Sequence, residues 1–150
     1  MNYSKGRKIY IALSALALAA VLVTIFVLSA QNGEESSSTS GFFTKLIETI
    51  IGQPADEALI RTFAHFCEFA GLGFLTINFI FALKDKLRPV ISILFSCAYA
   101  MTDEIHQIFV PGRAFQLTDF AVDSAGIVLG MGVFCALSFL SSKCKTQNAK

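Results

Sequence analysis

Ile9 to Ala30 runs for 22 residues without a charged side chain. A helix rising about 1.5 Å per residue crosses a hydrocarbon core of about 30 Å in roughly 20 such residues. Three more stretches are of similar length and mostly apolar, at 62–83, 89–109 and 118–140, each interrupted by one or two acidic residues. Lipid offers no partners to a backbone N–H or C=O, so each segment must satisfy its own, and a helix does so. The expected fold is therefore all-α. It is a single domain over 1–150, a membrane bundle of four transmembrane helices spanning about 9–30, 62–83, 89–109 and 118–140. Composition agrees. Of 150 residues 54% are hydrophobic and only 15% charged, with a mean hydropathy of +0.62. A soluble domain carries about 25% charged residues. A net charge of +1 gives no footprint for nucleic acid.

A cleaved signal peptide competes for the first run. Its apolar part would be about 7–15 residues long with small residues before the cut. The longer run and the poor match at Leu28-Ser29-Ala30 favour a retained helix. Residues 31–41, rich in serine, read as a flexible polar linker. Phe42, Phe43, Leu46, Ile47, Ile50 and Ile51 then recur at helical spacing. That stretch is too short to span, so an amphipathic helix lying in the interface is expected over about 42–52. Gly52 and Pro54 end it. Pro89 suits the first turn of a helix. Val110-Pro111-Gly112-Arg113 reads as a turn, with proline at its second position and a positive φ for glycine at its third. Thr118 or Asp119 is placed to cap the last span. Cys67, Cys97, Cys135 and Cys144 have no metal-ligand spacing and are read as packing residues outside any disulfide framework.

Lysine and arginine set the orientation. With both termini cytoplasmic, Lys5, Arg7, Lys8, Lys84, Lys86, Arg88, Lys143, Lys145 and Lys150 lie inside, and Lys45, Arg61 and Arg113 outside. Nine against three makes this the expected topology of a multi-pass cell-membrane protein, with loops 31–60 and 110–118 facing the extracellular side.

Depth then locates the polar residues. Arg61, His65 and Glu68 follow at offsets of four and three, along one helix face, with Glu68 roughly 10 Å below Arg61. On the third span Asp103 lies about 21 Å above Pro89, in the outer third of the core. His106 and Gln107 share its face, and Glu104 points about 100° away. On the fourth, Asp119 and Asp123 lead into Gly126 and Gly130, a small-xxx-small stripe that lets helices approach closely. Both histidines of the chain are in this set. So are five carboxylates against two guanidiniums, an excess of three negative charges that calls for protons, a metal ion or a cationic group.

These stretches carry a resemblance. Ser29-Ala30-Gln31 with the serines after it, Arg61-x-x-x-His65-Phe66-x-Glu68, Asp103-Glu104-Ile105-His106-Gln107-x-Phe109-Val110-Pro111-Gly112-Arg113, and Asp119-x-x-x-Asp123-x-x-Gly126-x-x-x-Gly130 together resemble the VanZ-like family of small bacterial membrane proteins. The one departure is Thr62, where relatives often carry a second basic residue. The resemblance implies a helical membrane protein, and for some relatives reduced susceptibility to teicoplanin-type lipoglycopeptides. It supplies no mechanism.

The residues leave three readings open. In the first, an outward-facing polar pocket at headgroup depth binds an envelope lipid, a lipid-linked wall precursor or a lipoglycopeptide. Arg61 and Arg113 would grip phosphate or carboxylate, Asp103, Glu104, Asp119 and Asp123 would hold amines, and Gln107 would assist. In the second, His65, Glu68, Asp103 and His106 act as metal ligands or acid–base groups of an enzyme working on a membrane-borne substrate. A divalent metal would draw its ligands from those four together with Asp119 and Asp123. No serine or cysteine nucleophile is evident. In the third, the polar network only fixes helix register. Tyr99, one turn below Asp103, is read as a hydrogen-bond partner.

Overall fold

The computed structural model describes residues 3–147. Among them are five helices and no strand: α1 (Lys5–Ser29), α2 (Gly33–Ile51), α3 (Glu57–Lys84), α4 (Pro89–Gln107) and α5 (Leu117–Gln147). The all-helical expectation is met. Among the described residues three segments are long and apolar enough to cross a membrane: Lys5–Ser29, Glu57–Lys84 and Leu117–Ser141. The fourth expected span falls on α4, which falls short of that apolarity. Its last turns carry Asp103, Glu104, His106 and Gln107 in place of apolar residues.

α3 is the hub, touching each of the other four helices and packing most extensively on α5. The reason lies in glycine. Gly126 and Gly130 of α5 lie on the α3 backbone at Phe66, Ala70 and Phe74, and Gly73 of α3 lies on Ile127. A β-carbon at any of the three would overlap backbone atoms, so the small-residue stripe sets the distance between the two helices. Phe69, Leu72, Ile77, Ile127, Met131 and Phe134 fill the rest of that seam, and Leu18 and Ile25 of α1 close it from the side. Phe134 meets Phe74 and Phe81 edge-on, at 5.4 and 5.9 Å, the arrangement the ring quadrupole favours.

Polar contacts fix the bundle ends. At one end Arg7 forms a 3.1 Å ion pair with Asp85 and donates to the Ala82 carbonyl, while the Tyr3 hydroxyl donates to the Leu83 carbonyl. The start of α1 is thereby tied to the end of α3. Asp85 closes α3 in the left-handed conformation, φ 56°, and Pro89 opens α4 as expected. At the other end Asp56 caps α3 by accepting from the Ala58 N–H.

That second end carries the main departure from expectation. The serine run is not a linker. α2 begins at Gly33, nine residues before the expected helix over 42–52, and continues to Ile51. Ser36, Ser40 and Thr44 form one buried stripe at i, i+4, i+8. Ser40 and Thr44 donate to the carbonyls four residues back, and Ser40 also reaches Glu57 at 2.8 Å. Serine favours loops when its hydroxyl competes for backbone. Here the hydroxyls find partners without breaking the helix. The opposite face exposes Phe42, Leu46 and Ile50, as an interfacial helix requires.

The 110–113 turn matches expectation, with Arg113 N–H donating to the Val110 carbonyl and Gly112 at φ 77°. It is also a docking point. The Gly33 N–H donates to the Pro111 carbonyl, and a β-carbon on Gly33 would come within 3.1 Å of the Gly112 oxygen. α5 starts at Leu117, one residue before the expected caps. Thr118 and Asp119 therefore sit inside its first turn, where the Asp119 charge complements the helix dipole. Cys67, Cys97 and Cys135 are free thiols; the Cys144 side chain lies outside the described residues.

Candidate functional site

Two cavities meet at the α2 end of the bundle. The first, about 570 Å³, lies between the first turns of α3, the 112–116 loop and the start of α5, and is lined by Arg61, His65, Gln107, Arg113, Asp119 and Asp123 among others. The second, about 430 Å³, runs beneath α2. Its walls are Leu28, Phe43, Ile47, Ile60 and Phe63, with Glu68 at one side. Arg61, His65 and Arg113 line both. One cavity is polar and the other mostly apolar, and these three side chains form the wall between them. Both volumes suit a small-molecule site, for which about 300–1,000 Å³ is usual.

The spacing on α3 explains that wall. Arg61 and His65 are four residues apart and stack along one stripe. Neighbours on either side of the stripe face different cavities, Ala58 and Thr62 the polar one, Ile60 and Ala64 the apolar one. Arg113 arrives from the turn and is held by its 2.7 Å bond to Ser36. Burial, and then the facing Arg61 charge, lower the Arg113 pKa from its usual value, against the pull of Asp103, Glu68 and Asp119. The Arg61 guanidinium makes no hydrogen bond or ion pair to the described residues, and Arg113 makes no ion pair among them. Two guanidiniums thus repel each other beside an open cavity.

The carboxylates divide into two kinds. Asp103 and Glu104 are spoken for. Asp103 accepts from the Ser29 hydroxyl at 2.9 Å and the Gln107 amide at 3.1 Å, joining α1 to α4. Glu104, wholly buried, accepts from the Gln116 N–H at 3.0 Å and so anchors the loop ahead of α5, its other oxygen having no partner. Asp119 and Asp123 face the polar cavity. Asp123 is wholly buried at its floor with neither oxygen hydrogen-bonded. The charges of Glu104, Asp103, Asp119 and Glu68 all act on it, so the cluster that depth along the helices assembled is one electrostatic unit.

His65 belongs to that unit, facing the charges of Asp103, Arg113, Asp119 and Arg61, with its buried Nδ1 unpartnered. His106 does not line either cavity. Its ring packs on Phe26 of α1 at 5.0 Å. The physical reason is the rotation of α4: Asp103, one turn earlier, also meets α1, at Ser29, so this stripe of the helix faces α1. Tyr99 is a hydrogen-bond donor as expected, to the Leu22 carbonyl. Among the described residues no three His, Cys, Asp or Glu side chains are grouped as ligands for one metal ion.

Sequence reasoning missed Ser29 as the partner of Asp103, Ser36 as the partner of Arg113, and the Ser40–Glu57 bond. The signal for the last two was present, a spacing of four through Ser36, Ser40 and Thr44 that places them on one helix face.

Neither the curated proteins nor the solved structures yield a match to this chain. The family comparison does: the VanZ/LLP1 family model matches residues 14–139, which takes in most of α1, all of α2, α3 and α4, the 110–113 turn and the glycine stripe of α5. On that match the chain belongs to the VanZ/LLP1 family.

Proposed function

We propose that this protein binds the anionic headgroup of an envelope amphiphile in the polar cavity, on the extracellular side of the cell membrane. α4 is taken as a fourth crossing. Its 19 residues extend about 28 Å, its loops to α3 and α5 are short, and its polar end lies among protein groups, where charge at membrane depth is tolerated. The nine-to-three excess of Lys and Arg at the opposite end supports a cytoplasmic location for both termini.

The observation that carries the reading is the Arg61–Arg113 pair. Two guanidiniums held beside a cavity, one without any described partner, are an arrangement that an anion relieves. Arginine's planar fork suits phosphate or carboxylate. The amphiphile is an envelope lipid, a lipid-linked wall precursor or a lipoglycopeptide, and the last would connect binding to teicoplanin-type susceptibility. The test is a lipid inventory of the detergent-purified protein, native and Arg113→Ala side by side, with metal analysis of the same samples. A phosphate-bearing amphiphile retained by the native protein and lost from the folded variant is the expected outcome. Equal lipid content in both would overturn the reading.

An acid–base enzyme on the same substrate is the second reading, favoured by the unpartnered His65 Nδ1 and Asp123 carboxylate beside one cavity. Turnover of a bound amphiphile, abolished in His65→Gln while binding persists, would establish it.

A further inference from the structure

Taking the polar cavity as the headgroup site, we infer that the ligand is an amphiphile whose hydrocarbon chain, phosphate and ammonium group follow one another in that order. The chain occupies the cleft beneath α2, the phosphate lies at Arg61 and Arg113, and the ammonium reaches Asp119 and Asp123.

Three features occur in sequence along one path. The cleft is walled mainly by Leu28, Phe43, Ile47, Ile60 and Phe63, a mostly apolar lining that Gln31, Ser40 and Glu68 interrupt. It adjoins the polar cavity at Arg61, His65 and Arg113, which line both spaces. A chain in the cleft therefore has its anionic linkage at the two guanidiniums. Beyond them lies Asp123, wholly buried with both oxygens unpartnered, and Asp119 faces the same space one turn earlier.

A carboxylate stripped of water and given no donor either takes up a proton or finds a cationic partner, and a ligand ammonium is such a partner. Asp103 and Glu104 do not compete for it, because neither lines the polar cavity and each accepts a hydrogen bond inside the bundle. The excess of carboxylates over guanidiniums also makes a plain anion a poor fit, since it would add negative charge to a site already negative. A group carrying its own ammonium resolves this. The phosphate meets Arg61 and Arg113, and the ammonium supplies the donors that Asp123 lacks.

The experiment uses the full chain in nanodisc or detergent, with native mass spectrometry reading lipid occupancy. The probes are phosphatidylethanolamine, phosphatidylglycerol with the same chains, and chain-free glycerophosphoethanolamine. Phosphatidylethanolamine is expected to bind at least about tenfold more tightly than phosphatidylglycerol, the difference reflecting charge-assisted hydrogen bonds in a dry site. Asp123→Asn, close to isosteric, should remove that preference while leaving phosphatidylglycerol binding in place, and Asp119→Asn should reduce it. Glycerophosphoethanolamine should bind more weakly by a similar factor or more, having no chain to bury. Ile47→Trp, which fills the cleft, should weaken both lipids alike.

Equal binding of the two lipids, with Asp123→Asn unchanged, would overturn the ammonium site and leave headgroup binding standing. No loss with the chain-free probe would overturn the cleft. If neither lipid binds and Arg61→Ala changes nothing, the headgroup reading fails with it.

Discussion

Ser29 and Asp103 illustrate how little of this site can be assigned one side chain at a time. Asp103 lies in a stretch whose chemistry invites a catalytic or ligand role, yet its Oδ2 accepts from Ser29 and Gln107 and faces the bundle interior. Ser29→Ala should lower thermal stability in detergent, because a wholly buried donor and part of the acceptor's bonding disappear together. Interhelical hydrogen bonds in membranes are worth about 0.6 kcal/mol on average and up to about 2. The expected loss is about 1 kcal/mol, with lipid occupancy retained once the variant is folded. Thr24→Val on the exposed face of the same helix, where the hydroxyl meets only the Ala20 carbonyl, is the control and should change stability little. A Ser29→Ala variant of normal stability that loses lipid would instead place Ser29 in the binding path.

The helices were largely legible in the sequence, and the reasons differ between them. α1, α3 and α5 announce themselves through long, mostly apolar runs, and their cores follow from those runs. α4 was legible from its apolar run and from Pro89, while its polar end blurs the apolar signal. α2 was read only in its second half. Its first half has the composition of a loop, and tertiary partners, the Pro111 carbonyl, Glu57 and Arg113, help to hold it helical. The α3–α5 seam makes a sharp prediction at this scale. Gly130→Ala should destabilise by about 1–3 kcal/mol, as overpacking does, and shift the thermal midpoint downward. Gly132→Ala, two residues on, has nothing within 4 Å of the new methyl and should be neutral or slightly stabilising. Equal effects at both positions would mean that the seam is looser than the backbone contact implies.

For the molecule as a whole, the two ends of the bundle differ in kind. One is tied together by Arg7, Asp85 and Tyr3 beside an open cavity of about 400 Å³, and the other carries the polar cavity at the 112–116 loop and the mostly apolar cleft under α2. The sequence located the open end by counting residues along each helix, and it grouped His65, Glu68, Asp103, Asp119 and Asp123 at one level. It could not separate anchoring carboxylates from cavity-facing ones, because that depends on the rotation of each helix against its neighbours. His106 shows the limit, sharing the level but turned toward Phe26. The proposed topology is checked by labelling single cysteines in a cysteine-free background on intact cells. A membrane-impermeant maleimide should modify Phe115→Cys and spare Lys86→Cys. The reverse pattern would invert the orientation and move the cavities to the cytoplasmic side.

The bond from Arg113 to Ser36 bears on kinetics as well as affinity. A guanidinium has five N–H donors, so Arg113 can keep the α2 hydroxyl while others engage an anion. The ligand would then sit under a roof braced by the same group that grips it, and its residence time would track how often that roof lifts. Exchange with the surrounding bilayer would be slow even for a weakly held molecule, and a shorter side chain in place of Ser36 would hasten release more than it lowers occupancy.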